Sequence, residues 1–413
     1  MVSTALEPLK ELISEMMETT NLLDASSLKP IRSFKESTKL KLARTVFIQS
    51  GEGMSNTITK FTMMFGSFEK MEGNEEAIQS LVNEVLQKIG TVGASFFVVM
   101  EARICAPLFK ELKGLFLSLL HQLRSLIETL TSSSSYSQQT LHSTTGMVWR
   151  CCEAFSNLSK SNQKAYKKAL MGDCDCVKDV IEEFEEYLED GNEDDENLDL
   201  DLDGMDMFGD ETLDFEVRFE TGSVEKELVV CVIKLLRLIR GEFFPIIAQS
   251  LMRIGRSIDE LGEDCDSENN NTTKEDEEKS DSKSNEDNVD DISISEENQE
   301  LLDGMNEKLI SIEEISKRLN SLSLSIGSEL YPPISSSNHQ LRSTLEEMVQ
   351  LVSSSCLENN KEEKKEEFKR LFDEIFTLMD QLPISPTQHL NPSHLPSSTC
   401  SSQHKKEEEE ENG

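Results

Sequence analysis

The sequence has few aromatic residues and no long apolar run, and these absences exclude whole classes of protein. Aromatic residues make up 6% of the 413 residues, with a single Trp, and hydrophobic residues make up 37%. Globular chains usually hold roughly 45–50% apolar residues, so part of this length is expected to stay unpacked. No stretch of about 20 uncharged apolar residues occurs, and we therefore expect no insertion into a membrane.

Ordered cysteine patterns and a leader sequence are also missing. The nine Cys residues form an odd, irregularly spaced set without a CxxC pair, which favours reduced thiols over a disulfide framework. The first residues, MVSTALEPLKELISEM, lack the basic and apolar regions of a signal peptide. We expect a protein of the cytoplasm and nucleus.

Positive charge is scarce relative to negative charge, and the excess of acid lies mainly after residue 170. The formal net charge is -38, from 41 Lys and Arg against 79 Asp and Glu, although residues 1–170 are close to neutral. An acidic surface repels phosphate backbones, so direct binding to nucleic acid is not expected unless the near-neutral part provides it. Basic proteins are the partners that the acidic segments favour.

Catalytic motifs are absent, which predicts a protein that is not an enzyme and needs no cofactor. The sequence has no GxSxG, no Gly-rich loop ending in GK[ST], no HExxH and no GxGxxG. His121 lies in an apolar helical stretch and is interpreted as a histidine on the helix surface. An enzyme of unfamiliar type remains an alternative, because a nucleophile and a base can meet from distant positions.

Three stretches resemble metal sites, and none meets the requirements of one. Residues 199–210, DLDLDGMDMFGD, come near the spacing of an EF-hand loop, but they end in Asp where the site needs a bidentate Glu and lack flanking amphipathic helices. Asp173-Cys174-Asp175-Cys176 offers two thiols without a third ligand nearby, and is interpreted as the start of a helix. The tail residues match no zinc spacing: His389, His394, Cys400 and His404. We therefore predict no metal site.

Helical periodicity dominates the chain and predicts an all-α fold of two helical bundles joined by acidic disordered segments. Apolar residues recur every three or four positions through most of the sequence, and Pro245 is expected to end or kink the helix before it near Gly241. The predicted ranges are an N-terminal bundle (1–188), an acidic linker (189–222), a long kinked helix (223–262), a disordered acidic segment (263–295), C-terminal helices (296–382) and a disordered tail (383–413).

Two kinds of surface position carry weaker predictions. Ser284 and Ser293 each precede an acidic residue three positions on, and Ser385 precedes a proline, so all three are possible phosphorylation sites. A short basic stretch is interpreted as the solvent-exposed side of a helix, with an anion-binding face as the alternative: Lys35, Lys39, Lys41 and Arg44.

Two stretches resemble the cyclin-D-binding protein family, also called Grap- and cyclin-D-interacting proteins. The first runs from Val148, Trp149 and Cys152 through an NK-containing helix to VKDVIEEFEEYLE, which includes Lys178 and Asp179. The second is LSLSIGSELYPPI, which ends with Tyr331, Pro332 and Pro333. The resemblance implies a non-enzymatic role: binding D-type cyclins and other regulators, and restraining cyclin-dependent kinases and cell-cycle progression.

Two other classes stay open on the sequence alone. Helical bundles of this kind also serve as cytoskeletal or vesicle adaptors. The net charge of -38 is also compatible with an acidic chaperone for basic proteins such as histones.

Overall fold

The computed structural model describes residues 2–65, 75–131, 138–190, 223–271, 296–330, 338–354 and 362–382, and these residues form an all-α fold without strands. The predicted fold class is confirmed. The helices are α1 (Val2–Leu22), α2 (Thr38–Phe65), α3 (Glu75–Met100), α4 (Ala106–Thr131), α5 (Gln138–Ala154), α6 (Asn162–Asp190), α7 (Val224–Leu238), α8 (Phe244–Asn271), α9 (Glu296–Glu329), α10 (Asn338–Ser354) and α11 (Glu362–Gln381).

The first of two hydrophobic cores lies among α1 to α5. Their apolar residues at three- and four-residue spacing face inward, and large aromatic side chains fill the centre. Phe47 stacks on Phe155 with ring centroids 4.2 Å apart, and Phe96 stacks on Phe116 at 4.9 Å. The hydroxyls of Ser50 on α2 and Ser95 on α3 lie 2.9 Å apart inside this core.

The second core lies among α7, α10, α11 and the C-terminal halves of α6 and α9. Helices α6, α8 and α9 therefore contribute to both cores. The residues buried in the first core include Tyr166, Leu251 and Leu309, and those buried in the second include Phe184, Phe244 and Ile326. The boundary between the cores lies within α6, upstream of the predicted boundary at residue 188.

A π-helical turn separates α7 from α8 at the position where the sequence predicts a break. The turn covers Ile239–Phe243, and α8 begins at Phe244, next to Pro245. Pro245 has no N–H to donate, and its ring would collide with the carbonyl of an uninterrupted α-helix. A π turn is a usual way to accommodate that interruption.

Two predicted helix limits are wrong. Helix α8 continues to Asn271, so residues 263–271 are helical rather than disordered. Extending an existing helix avoids the cost of nucleation, which lets even an acid-rich stretch continue it. Helix α6 begins at Asn162, so Asp173-Cys174-Asp175-Cys176 lies inside a helix and does not start one.

Candidate interaction site

Helix α5 places the resemblance residues on two different faces. Val148 is 0% exposed and Cys152 is buried beside it, one turn along the same face. Trp149, the only Trp of the chain, points outward and is 38% exposed, while Met147 is exposed on a different side of the helix. Large apolar side chains that stay in solvent are candidates for contact with a partner, and Trp is enriched at the centres of interfaces. The exposed face of α5 is therefore a candidate interaction site.

Three buried thiols, of which only Cys152 lies on α5, are poor nucleophiles. Burial raises the pKa of Cys152 to about 12, and burial followed by a hydrogen bond to Glu374 raises the pKa of Cys231 to about 11. Burial also raises the pKa of Cys105 far above its usual range. Because the thiolate is the reactive form, these three thiols stay inert near neutral pH.

Lys178 and Asp179 lie on the outer side of α6. The Lys178 Nζ atom donates to Glu182 at 2.7 Å, one turn further along the helix. This hydrogen bond raises the pKa of Lys178. Exposed pairs at this spacing contribute little stability, and neither residue approaches Trp149 through a recorded contact.

The Asp173-Cys174-Asp175-Cys176 stretch ties α6 to α9. The Asp173 carboxylate accepts hydrogen bonds from the Ser316 hydroxyl at 2.6 Å and from the Asn320 amide at 3.1 Å. Among the residues whose side chains are described, no three His, Cys, Asp or Glu residues gather as possible ligands of a metal ion.

The remaining predicted positions fall into two groups. His121 is exposed on α4, as predicted, and Lys35, Lys39 and Lys41 are exposed as well, while Arg44 is mostly buried and pairs with Glu36 at 3.8 Å. Outside the described residues lie Tyr331, Pro332, Pro333, Ser284, Ser293, Ser385, His389, His394, Cys400, His404, the EF-hand-like stretch 199–210 and the tail 383–413.

A polar clamp that the sequence did not predict fixes the loop before α2. Asp259 of α8 accepts hydrogen bonds from the Phe34 N–H at 2.7 Å, the Ser33 hydroxyl at 3.1 Å and the Lys35 N–H at 3.2 Å. Asn162 donates to the Ser33 carbonyl at 2.8 Å and accepts from the Cys105 N–H at 2.8 Å. These partners are far apart in sequence, so residue spacing gave no signal of the clamp.

A cleft of about 340 Å³ opens where α4, α6, α8 and α9 meet. Its floor is apolar, with Tyr166, Leu251 and Ile312 among its lining residues, and its rim carries opposite charges in pairs. Glu111 pairs with Lys168 at 3.4 Å, and Glu313 pairs with Lys317. Of the described residues that line this cleft, none is His or Cys, so the cleft supplies neither of those groups for acid–base or nucleophilic chemistry.

Together these features define a class of protein: a helical scaffold whose candidate site is an exposed face of a bundle. None of the helices that the structure describes combines the length and the apolarity needed to span a bilayer.

Comparison with known proteins shows that part of the chain is similar to one family. Residues 46–190 match the family described as Grap2 and cyclin-D-interacting, N-terminal. A cyclin-D1-binding protein 1 homolog of Xenopus laevis is 29% identical over 143 residues, which cover 34% of this chain and 41% of that relative. The resemblance to the cyclin-D-binding family is confirmed, and it is carried by the region from the middle of α2 to the end of α6.

Proposed function

We propose that this chain is a non-enzymatic regulator that binds D-type cyclins through the helices of its first core. The observation that carries the proposal is the family match over residues 46–190, together with the similarity to a cyclin-D1-binding protein 1 homolog of Xenopus laevis. The match covers less than half of that relative, so a D-type cyclin is proposed as the partner of this chain on the basis of a partial similarity. We further propose that the chain, by binding these cyclins, is a negative regulator of cyclin-dependent kinases and of cell-cycle progression.

The non-enzymatic part is supported by the chemistry of the described side chains. The buried thiols are protonated at neutral pH, and the charged groups at the rim of the cleft pair with one another. We also propose that the protein works in cytoplasm and nucleus and is phosphorylated at Ser284, Ser293 or Ser385, where an acid or a proline follows the serine.

Trp149 is the residue that we propose as the anchor of the cyclin contact. It is the only Trp, it lies inside the matched region, and its side chain is exposed while its neighbour Val148 is buried. A Trp in this position adds a large contact area at low entropic cost, which is typical of an interface hot spot.

Purified chain and a recombinant D-type cyclin test this proposal by isothermal titration at moderate salt. We expect Trp149→Ala to weaken binding by about 2 kcal/mol, the loss typical of a hot-spot residue. Leu324→Ala is the matched control, because Leu324 is 47% exposed but lies on α9, outside the matched region. Absence of binding by the unaltered chain would refute the cyclin partner, and equal loss in both variants would refute the role of Trp149.

A further inference from the structure

Two stretches of this acidic chain contain no acid at all, and they pack against each other. Residues 154–172 hold four Lys and residues 243–258 hold two Arg, and neither stretch has an Asp or a Glu. The first includes the start of α6, and the second includes the start of α8. Other runs without acid occur, such as residues 129–152, but these two stretches carry six cations between them and belong to helices in contact.

Contacts in the structure fix how the two stretches meet. The Gln163 amide of α6 donates to the Met252 sulfur of α8 at 3.4 Å, and the Gln163 N–H donates to the Phe34 carbonyl at 2.8 Å. Phe34 in turn lies against Gly255 of α8. The first turns of α6 and the middle of α8 are therefore neighbours.

Helical spacing then places the cations on a common outer face. Lys167 follows Gln163 by one turn of α6, and Arg256 follows Met252 by one turn of α8. Each cation therefore lies on the same side of its helix as the residue that makes the contact between α6 and α8. The exposed cations on and beside these two helical segments, called here the basic surface, are Lys160 just before α6, Lys164 and Lys167 on α6, and Arg253 and Arg256 on α8.

None of these five cations forms an ion pair with a carboxylate among the residues that the structure describes. The Arg256 Nε atom contacts only the Met252 carbonyl of its own helix, at 3.4 Å. The nearby carboxylates are engaged elsewhere or lie at the edge: Asp259 accepts from the loop before α2, Glu111 holds Ser159 and Lys168, and Glu260 is exposed one turn beyond Arg256.

We propose that the basic surface is a docking site for a short acidic segment of a partner protein. Its cations are spread over two helices and the segment just before α6 and do not gather in a pocket, which suits an extended peptide better than a small anion. Charge is screened beyond about 8 Å at physiological ionic strength, so a short peptide interacts mainly with this surface. A long nucleic acid would extend past it onto the acidic remainder of a chain of net charge -38 and be repelled.

The Lys residues of the basic surface lie within the matched region 46–190, but the surface involves neither Trp149 nor the rest of the exposed face of α5, and its test uses a peptide instead of a cyclin. The two inferences can therefore fail separately. An acidic segment could also belong to this chain itself, since residues 272–295 are rich in Asp and Glu, and the experiment distinguishes that source.

Fluorescence anisotropy with the full chain and a labelled oligo-glutamate peptide provides the test. The variant is Lys164→Glu with Arg256→Glu, and the control is Lys369→Glu with Arg370→Glu, which makes the same change in net charge at two exposed positions on α11. We expect the first pair to weaken peptide binding by about tenfold or more, which corresponds to about 1.4 kcal/mol, and the control pair to leave it nearly unchanged. Binding by the unaltered chain should also weaken as salt is raised.

Each other result overturns the proposal. Equal losses in the two variants would mean that net charge, not this surface, attracts the peptide. Binding that appears only after residues 272–295 are deleted would assign the surface to the chain's own acidic segment. Tighter binding of a single-stranded oligonucleotide of equal charge would make nucleic acid the ligand. If neither the full chain nor the deletion variant binds the peptide or the oligonucleotide, the basic surface is not a docking site.

Discussion

The two cores hold their helices together by different means. In the first core, buried polar groups join distant segments, as where Asp259 and Asn162 grip the loop before α2. In the second core, the polar links between helices include exposed ion pairs, namely Arg237 with Glu185, Arg318 with Glu347, and Arg342 with Asp380, besides the buried Glu329 described below. A hydrogen bond to a buried carboxylate contributes more to stability than an exposed ion pair, so we expect the bonds to Asp259 to contribute more than any one of these three ion pairs.

The largest effect is expected from removing the buried carboxylate of the clamp. Asp259 is 7% exposed, and Asp259→Ala would leave the N–H groups of Phe34 and Lys35 without this acceptor. We expect the free energy of unfolding to fall by about 3 kcal/mol, because buried donors lose a charged partner. Urea unfolding followed by the fluorescence of Trp149, which lies in the first core's helix α5, measures the change.

Asp380→Ala is the matched control in the second core. The Asp380 carboxylate accepts from Arg342 at 2.7 Å, but both side chains are exposed. We expect a loss of no more than about 0.5 kcal/mol, which is typical of a surface ion pair. Equal destabilisation by the two variants would contradict the contrast between the cores.

A second, smaller effect is expected where α8 packs on the same loop. A Cβ atom at Gly255 would lie 2.1 Å from the ring of Phe34, which is buried and has no room to move aside. Gly255→Ala should therefore cost about 2 kcal/mol through overpacking, even though Ala is the better helix former.

Gly114→Ala in α4 supplies the comparison for that variant, because nothing lies within 4 Å of the added atom. There the substitution should stabilise by about 0.5–1 kcal/mol, the usual gain from replacing a helical Gly. Thermal unfolding of the two variants should move in opposite directions. A shift in the same direction would show that Phe34 does not limit the space at Gly255.

The sequence predicted what depends on local periodicity and missed what depends on distant pairing. The all-α class, the interruption at Pro245 and the exposure of His121 follow from residue spacing alone, and all three agree with the structure. The clamp at Asp259 joins positions more than 200 residues apart, and no pattern within one helix signals it. The sequence did not predict the basic surface for a related reason. The net charge of -38 describes the whole chain and gives no sign that two acid-free segments, distant in sequence, lie side by side.

The smallest predicted effect concerns a buried carboxyl group between α9 and α10 in the second core. Glu329 is buried and accepts a hydrogen bond from the Thr344 hydroxyl at 3.2 Å. Desolvation raises the pKa of Glu329 above its usual value, although the hydrogen bonds from Thr344 and Gln340 act in the opposite direction. The folded state therefore binds this proton more tightly than the unfolded state does. The associated stability is fully present below the unfolded pKa and is lost as pH rises through the folded pKa.

Glu329→Gln removes the charge that burial penalises and keeps an oxygen for Thr344. We expect the variant to be slightly more stable than the parent at neutral pH, with the difference shrinking as pH falls below the pKa of Glu329 in the folded protein. Far-UV circular dichroism during thermal unfolding, repeated from neutral to acidic pH, measures this. Glu366→Gln, at an exposed position on α11, should show no such pH-dependent gain. If Glu329→Gln destabilises the protein at neutral pH, the charged carboxylate is itself a stabilising link, and the second core has a buried polar contact like the clamp of the first.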